Sequence, residues 1–324
     1  MTKEYVSGKA TEPILVSISC ITYNHAPYIR QCLDGFMMQK TNFAFEVLIH
    51  DDASTDGTTD IIKEYEAQYP DIIKPIYEEE NQWVKRRRGS AVFNFPRANG
   101  KYIALCEGDD YWTDPLKLQK QVDFLEKNAG VTMCFANAIQ HYENGLYEDS
   151  LVANIENRFY SGVEIFKSWQ VATATVMFRY EIYKSDLYQS VQNNPKFIFG
   201  DILLFLTCAN YGAVYGMGDV FATYRRHDGG LVLSMMRSPE AVRLFCKHIL
   251  EIPRVFGEMY RPHSERGFHH TCMSVFFDGK HNGIDFKNRL SFLKDSFAHS
   301  RFKAMVYFIR FVYGKLKKLL NQVS

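Results

Sequence analysis

The stretch KYIALCEGDDYW, residues 101–112, joins a short apolar segment to a cluster of three carboxylates. Its first half has the pattern of a buried strand, and Glu107, Asp109 and Asp110 follow where that strand ends. Like charges this close repel one another, so they cost stability unless a cation balances them. The pattern therefore predicts a site for Mg²⁺ or Mn²⁺, a cation that commonly binds a diphosphate. The alternative is an acidic turn that caps the next helix, but Asp114 already fills that role.

Strand and helix patterns alternate on both sides of this stretch. Short apolar segments rich in β-branched residues predict strands at 14–21, 45–50, 72–77 and 101–106. Apolar residues at helical spacing predict amphipathic helices between the first three strands and after Pro115. This alternation predicts an α/β fold in which helices flank a mostly parallel central sheet. Sheets of this kind bind ligands beyond the carboxyl ends of their strands.

The second half of the chain has a mixed pattern up to about residue 235 and a helical pattern after it. Asp56 is the predicted cap of the helix that follows the second strand. Further along we expect strands at 130–139 and 173–178, a helix at 200–212, two strands that return on each other within 213–227, and helices from 236 onward with a weak break near 261–267.

Composition narrows the class of protein. The formal net charge is +1, which gives no indication of a nucleic-acid partner. The chain has seven cysteines without a C-x-x-C pair, which is typical of reduced, buried thiols rather than disulfides or a zinc site. We find no signal-peptide pattern and no apolar run near the ~20 residues that a membrane span needs. A cytoplasmic location is the expectation.

Two further strand ends carry polar residues that could bind a ligand. Tyr23 and Asn24 follow the first strand, where a ring could stack on a base and an amide could bind sugar or phosphate. Asp51 and Asp52 follow the second strand, where a carboxylate can accept from a base N–H. Each group could equally be turn or cap chemistry. Polar or acidic residues thus recur at the ends of the first, second and fourth strands, which favours a common binding site.

The segments VSISCITYNHAPYI, FEVLIHDDASTDGTTDII and GKYIALCEGDDYWTDPLKLQKQVDFL, taken together, resemble the family 2 inverting glycosyltransferases of the GT-A fold. That family includes many enzymes that build bacterial surface polysaccharides. The resemblance is close over 14–128 and looser to about 235. It implies a GT-A domain at 14–235, with a nucleotide-sugar-binding half at 14–128 and an acceptor half at 129–235. Residues 1–13 would be an extension, and 236–324 a helical C-terminal region.

The resemblance also implies roles for individual residues around a nucleotide diphosphate sugar, commonly a UDP-sugar. Thr22, Tyr23 and Asn24 would line the nucleoside pocket, and Asp52 would read the base edge. Asp109 would lie nearest the ribose. Asp110 would meet the metal, Mg²⁺ or Mn²⁺, and the diphosphate.

One segment departs from the commonest family pattern. Many relatives carry an ARN-x-G helix between the third and fourth strands, where this chain has NQWVKRRRGSAVFNFPRANG. Asn81, with one of the three arginines at 86–88, would be the nucleotide or phosphate contact there. The alternative is a mobile basic loop.

Inverting transfer needs a base that takes the proton of the acceptor hydroxyl. Asp201, in FGDILLFL, resembles the catalytic base of the family, whereas the alternative is a helix cap. TYRRHDGGL resembles a later family segment, which makes His227 a candidate contact of the diphosphate or metal. In the same segment, Arg225 would pair with phosphate oxygens and Gly229-Gly230 would let a loop close over the donor.

Residues 301–324 contain six Lys or Arg and no acid, and their apolar residues fall at helical spacing. Such a basic amphipathic helix can lie in an anionic membrane surface, or it can pack on the domain with a solvated basic face.

The whole pattern predicts a hexosyl- or N-acetylhexosaminyl-transferase acting on a saccharide hydroxyl in surface-polysaccharide assembly. A lipid-linked acceptor at the inner face of the membrane would suit the basic helix. The alternatives are a non-catalytic nucleotide- or sugar-binding partner subunit and a sugar-phosphate nucleotidyltransferase. The nucleotidyltransferase should carry a Gly-rich phosphate loop with a nearby Lys after the first strand, and CITYNHAPY has neither. No G-x-G-x-x-G follows a strand, which argues against a dinucleotide oxidoreductase.

Overall fold

A computed structural model of the chain describes residues 13–83, 85, 89–227 and 237–323, with side chains as far as Lys317. The chain divides into two compact units. The first comprises Met1–Asn193 and Gly200–His227, and the second comprises Asn194–Phe199 and Asp228–Ser324. The predicted N-terminal extension lies outside the described residues up to residue 12.

The first half of the first unit alternates strands and helices, as the sequence predicts. All four strands expected there are present, and they pair side by side in parallel. A short fifth strand follows the acidic cluster. The elements are β1 (Ile14–Thr22), α1 (Ile29–Met37), β2 (Ala44–Asp51), α2 (Thr58–Gln68), β3 (Ile73–Tyr77), β4 (Tyr102–Leu105), β5 (Tyr111–Trp112) and α3 (Lys117–Lys127).

Burial explains why these segments form a sheet covered by helices. Every residue of β2 is buried, which is the mark of a strand with helices on both faces. Helix α1 turns its apolar stripe inward and packs closely on β5. At Gly35 a Cβ would lie 3.0 Å from the backbone N of Trp112, so this contact depends on a residue without a side chain.

The second half of the first unit completes a ten-stranded sheet in the order β3-β2-β1-β4-β9-β6-β10-β5, with β7 paired to β6 and β8 to β10. Strand β9 is antiparallel to both β4 and β6, whereas β6 and β10 are parallel to each other. The elements are β6 (Val131–Tyr142), β7 (Ser150–Leu151), β8 (Arg158–Tyr160), α4 (Gly162–Ser168), β9 (Met177–Arg179), α5 (Asp186–Gln192), α6 (Gly200–Tyr211) and β10 (Ala213–Arg226).

The prediction of two returning strands within 213–227 is wrong, because β10 is one continuous strand. Gly216 and Gly218 suggested a turn. The structure instead uses Gly216 for close packing, since a Cβ there would lie 2.4 Å from the ring of Tyr160 on β8. The expected strand at 173–178 is also shorter and shifted, because Thr173–Thr175 forms a 3-10 turn before β9.

Both residues predicted as helix caps lie before the cap position, Asp56 by one residue and Asp114 by two. Helix α2 has Gly57 as its cap residue, and Asp56 Oδ1 accepts from the Thr58 N–H at 3.0 Å. Helix α3 begins at Lys117, and Asp114 Oδ1 accepts from Leu116 N–H at 2.8 Å. Each aspartate therefore binds a backbone N–H at the helix start without occupying the cap position.

The second unit is helical in its described part after residue 238. The elements are α7 (Pro239–Phe256), α8 (Arg261–Asp278), α9 (Phe286–His299) and α10 (Arg301–Val323). The break expected near 261–267 lies earlier, at Gly257 with φ 115°, and the chain is already helical again from Arg261. Among the described residues, no helix is both long enough and apolar enough to cross a membrane.

All seven cysteines are buried and none forms a disulfide. This agrees with the reduced, buried thiols that the sequence predicts. Burial raises the pKa of Cys106 and of Cys134 to about 12, so these thiols are protonated at neutral pH.

Candidate active site

Strands β2, β1 and β4 are neighbours in the sheet, so the loops after their carboxyl ends meet at one edge. After β1, Asn24 has a left-handed backbone with φ 54°. Its N–H donates to Ser54 Oγ at 2.8 Å, and its side-chain oxygen accepts from Thr55 N–H at 2.8 Å. Asn24 therefore ties the first loop to the second. The neighbouring Tyr23 is 44% exposed, as a ring that stacks on a ligand has to be.

Asp52, at the end of β2, holds a third segment at the same edge. Its Oδ1 accepts from Gln82 N–H at 2.5 Å, and its Oδ2 accepts from Trp83 N–H at 3.1 Å. The side-chain amide of Asn81 donates to the Asp52 carbonyl at 3.5 Å. The structure thus brings Asp52 and Asn81 together. Each Asp52 oxygen keeps a second lone pair, so it can still accept from a ligand.

Asp109 lies between two imidazoles. His227 Nε2 is 3.0 Å from Asp109 Oδ2, and His25 Nε2 is 3.7 Å from the same oxygen. The other ring nitrogen of His25, Nδ1, is hydrogen-bonded to Thr22 Oγ1 at 3.1 Å. Thr22 is buried, so its hydroxyl reaches this site through His25 rather than by facing solvent. The ring of Tyr28 packs on His227 with centroids 4.7 Å apart.

Asp110 is buried, and the end of β10 holds it from behind. Its Oδ1 accepts from the backbone N–H of Arg225 at 2.9 Å. The turn before it requires a glycine, because a Cβ at Gly108 would lie 2.6 Å from Thr22 Oγ1. The close approach of this turn to β1 therefore sets where both aspartates point.

The three carboxylates of the cluster differ in their pKa. Burial, together with the charges of Asp109 and Asp201, raises the pKa of Glu107 to about 8. Burial also raises the pKa of Asp110, with Asp109 and Glu107 adding to the effect. At Asp109 burial acts in the same direction, but the hydrogen bond from His227 and the charge on His25 outweigh it and lower the pKa. Of the two aspartates, Asp109 is therefore the one whose surroundings favour the ionised form.

Asp201 lies in the first turn of α6, one residue after the helix begins, and its Oδ1 accepts from Ile202 N–H at 2.7 Å. Burial raises the pKa of Asp201. Its charge acts on Glu107, which places it in the electrostatic neighbourhood of the acidic cluster. The charge of Asp201 therefore reaches Glu107, although the two residues are 94 positions apart in the sequence (201 − 107).

The carboxylate oxygens at this edge are the type of donor that a hard cation prefers. Among the described residues, no group of three or more His, Cys, Asp or Glu side chains is placed to hold a metal ion by itself. Asp110 accepts one backbone hydrogen bond at Oδ1, which leaves lone pairs on both oxygens. Burial raises the pKa of Asp110 most, and the charges of Asp109 and Glu107 raise it further; a bound cation would offset these effects. A Mg²⁺ ion bound here would take its remaining ligands from water and a diphosphate, its usual mode of binding.

Arg225 has a different role from the one that its sequence position suggested. Its guanidinium is hydrogen-bonded to Glu143 and to Gln31, and it lies over the rings of Tyr28 and Tyr111 at 5.2 and 4.5 Å. Its side chain is 8% exposed. Arg225 therefore joins α1, the β6 end and β10 beneath the aspartates, instead of pointing into the solvent to meet a phosphate.

Sequence reasoning did not single out His25, Gln31 and Glu143. His25 could have been found, since it is a titratable residue directly after a strand end that was already a candidate. Gln31 and Glu143 carry no local signal, because their partner Arg225 lies 194 and 82 residues away. The predicted roles for the arginines at 86–88 and for Gly229-Gly230 fall outside the described residues.

Comparison with known proteins gives a consistent result. The sequence profile described as "Glycosyl transferase family 2" matches residues 17–202, more than half of the chain. The chain is 38% identical over 216 residues to "Uncharacterized protein Rv1520" of Mycobacterium tuberculosis, covering 67% of this chain and 60% of that protein. It is 28% identical over 212 residues to the "Putative teichuronic acid biosynthesis glycosyltransferase TuaG" of Bacillus subtilis, covering 65% of this chain and 79% of TuaG.

Two solved structures share the fold. The chain superposes on S. aureus TarS 1-349, solved in complex with UDP-GlcNAc, with a TM-score of 0.58, 18% identity, and coverage of 87% of this chain and 80% of TarS 1-349. It superposes on the mannosyltransferase PcManGT from Pyrobaculum calidifontis, solved with GDP-Man and Mn²⁺, with a TM-score of 0.53, 16% identity, and coverage of 97% and 84%. The expected GT-A fold with a helical C-terminal region is confirmed.

Proposed function

The chain belongs to glycosyl transferase family 2, and from this membership we propose that it transfers one sugar from a nucleotide diphosphate sugar to a saccharide hydroxyl. The observation that carries the proposal is the acidic cluster after β4, where Asp109 and Asp110 lie and where the charge of Asp201 acts on Glu107. The edge beyond the strand ends is where an open α/β sheet binds its ligand. The donor we propose is a UDP-sugar.

The donor would lie across the loops after β1, β2 and β4. Tyr23, which is exposed, would stack on the base, and Asp52 would accept a base N–H while it holds the backbone of 82–83. Asn24 and Asn81 would act by keeping these loops together. Asp109, oriented by His227, would accept from the ribose hydroxyls.

The diphosphate would lie beside Asp110. Asp110 would hold a Mg²⁺ or Mn²⁺ ion, which supplies positive charge to the leaving diphosphate. The backbone N–H of Arg225 fixes the carboxylate of Asp110 through Oδ1. His227, next to Asp109, would donate to a phosphate oxygen in the same region.

Asp201 would be the base of a single in-line displacement. As the acceptor oxygen forms its bond to the anomeric carbon, the bond from that carbon to the diphosphate oxygen breaks and the electron pair leaves with the diphosphate. The acceptor proton passes to the Asp201 carboxylate. The attack comes from the face opposite the leaving group, so the configuration inverts. Burial raises the pKa of Asp201, which makes its carboxylate a stronger base.

We propose that the acceptor is a growing surface glycan, because the relative TuaG is named for teichuronic acid biosynthesis. The sugar transferred would be a hexose or an N-acetylhexosamine. An acceptor carried on a lipid would put the reaction at the inner face of the membrane. A non-catalytic partner subunit would share the donor site, but it would not need Asp201.

Calorimetric titration with UDP tests the donor site. We expect UDP to bind wild-type protein more tightly with Mn²⁺ than without metal, and Asp110→Ala to lose the metal-dependent part. Asp71→Ala, at an exposed aspartate after α2, is the matched control and should behave as wild type. Failure of UDP, GDP, CDP and dTDP to bind under any metal condition would overturn the donor site. Metal-dependent binding that survives in Asp110→Ala would remove only the role of Asp110.

A further inference from the structure

Helix α10 has two apolar faces, and only one of them packs on the protein. On the inner face, Tyr307 stacks on His269 with ring centroids 5.7 Å apart, and Phe311 stacks on Phe277 at 5.8 Å. Ala304 on the same face is fully buried. The inner face therefore anchors α10 to α8, so the helix is an integral part of the second unit.

The outer face is apolar and exposed. Its described side chains lie three or four residues apart, which puts them in one row along the helix. Their exposure ranges from 49% to 79%, so the row spans about 21 Å of unburied apolar surface. Rows of this kind mark a binding surface more often than single exposed apolar residues do. We call this row the outer stripe: Phe302, Met305, Ile309, Tyr313 and Leu316.

Cationic side chains flank the outer stripe on one side. Arg310 directly follows Ile309, and Lys317 directly follows Leu316, so each lies about 100° around the helix from the stripe. Neither of them forms an ion pair with a carboxylate in the described part of the chain. The lysines nearer the inner face are different, since Lys303 and Lys315 pair with acids on α8.

We propose that the outer stripe docks on the surface of an anionic lipid bilayer. The apolar row would enter the boundary between headgroups and acyl chains, and Arg310 and Lys317 would meet the lipid phosphates. A second copy of the chain is a poorer partner for the outer stripe. Two stripes in contact would bring their basic flanks together, and residues 301–324 contain no acidic residue that could pair with them. No described helix could span the bilayer, so the contact is interfacial.

The lipid surface would be a partner of the proposed transferase. The inference rests on the proposed function only for what the contact achieves, which is to hold the chain where a lipid-carried acceptor lies. The binding itself follows from the second unit and needs no nucleotide site. The two proposals can therefore fail separately.

The test is co-sedimentation of the full chain with vesicles of phosphatidylcholine alone or of phosphatidylcholine with phosphatidylglycerol. We expect binding to the anionic vesicles that falls as salt is added. The triple variant Met305→Ser/Ile309→Ser/Tyr313→Ser should stay in the supernatant. The double variant Arg310→Gln/Lys317→Gln should bind at least about tenfold more weakly, because each cation near such a surface contributes substantially. Met259→Ser changes a methionine outside α10 that is more exposed than Met305, and it should bind as wild type.

Three results would overturn the proposal. Wild type could stay in solution with anionic vesicles at low salt, or it could bind neutral and anionic vesicles equally. Sedimentation velocity could also show a dimer that the triple variant dissociates, which would make a second copy the occupant. UDP titration of the same preparations separates the two proposals. If vesicle binding is absent but UDP still binds, only the proposed lipid-binding surface is overturned.

Discussion

The imidazole of His227 and the carboxylate of Asp109 lie 3.0 Å apart, although 118 residues separate them in the chain. Asp109 follows β4 and His227 follows β10, so this one contact joins the two halves of the first unit at the site. With His25 on the other side of the same oxygen, it keeps Asp109 ionised beside two carboxylates whose pKa is raised.

Replacing His227 should weaken donor binding through Asp109. His227→Ala removes a hydrogen bond to a charged group, and we expect the Kd for UDP with Mn²⁺ to rise by about tenfold or more. His227→Gln keeps an N–H at a similar reach and should recover part of the loss. Calorimetry gives the Kd, and thermal unfolding shows whether the fold is intact. An equal rise in Kd in both variants would mean that the hydrogen bond to Asp109 does not support donor binding.

Replacing Asp201 should remove turnover and leave donor binding unchanged. Asp201→Asn keeps the shape but cannot take the acceptor proton, so we expect kcat to fall by about 10²- to 10⁴-fold. The matched control is Asp186→Asn, which changes the acidic residue in the first turn of α5. Sugar transfer is measured with a labelled donor and UDP binding by calorimetry. Unchanged kcat in Asp201→Asn would assign the base to another residue.

Adding a methyl group at Gly108 should disturb the site directly. The new Cβ would lie 2.6 Å from Thr22 Oγ1, so the turn and β1 must move apart. We expect Gly108→Ala to lower the free energy of unfolding by about 1–3 kcal/mol and to weaken UDP binding. Gly130→Ala is the matched control, because a Cβ there has no atom within 4 Å. Urea unfolding of both variants measures this loss. Equal free energies of unfolding in the two variants would contradict the close approach of the turn to β1.

Lys117 should make stability depend on pH. It is fully buried over the ring of Trp112, and burial lowers its pKa from 10.5 to about 7. Between these two values the unfolded chain binds the proton and the folded chain does not, so stability rises with pH across this window. Below pH 7 the cost of burying the charge is present in full, on the order of a few kcal/mol.

Lys117→Met should therefore remove this rise. We expect urea unfolding at about pH 6, 8 and 9.5, one point below the window and two within it, to give a flatter profile than wild type. Lys120→Met is the control on the same helix. Asp114 and Asp219 raise the pKa of Lys120, so its effect on stability should change only above that window. Profiles of Lys117→Met and wild type that run parallel would show that the Lys117 amine is not desolvated as described.

The sequence predicts the parts of this fold in which local pattern and tertiary role coincide. The buried strands β1, β2 and β4 are apolar because helices cover them, and the polar residues after them lie at the ligand edge of a parallel sheet. Asp109, Asp110 and Asp52 could therefore be named before the structure was known. Where they point could not be predicted, because that depends on partners from β10 and the segment at 81–83.

The parts of the fold that the sequence does not predict have equally specific physical causes. Gly216 and Gly218 have the composition of a turn, but contacts with β8 override it and keep β10 continuous. For the C-terminal helix the sequence leaves two alternatives, a membrane surface or packing on the domain with a solvated basic face. Helix α10 packs one face on α8 and leaves a second, apolar face exposed, because residues on opposite sides of one turn meet different surroundings.

Because all seven native thiols are buried, the folded chain offers no reactive cysteine to a maleimide probe. A single cysteine introduced at Ile309 would then be the one labelling position, without any need for a cysteine-free background. A spin or fluorescent label there would report how deep the outer stripe enters a bilayer. A second label at Met259 would report from the same unit away from it, so the orientation of the chain on a membrane could be measured directly.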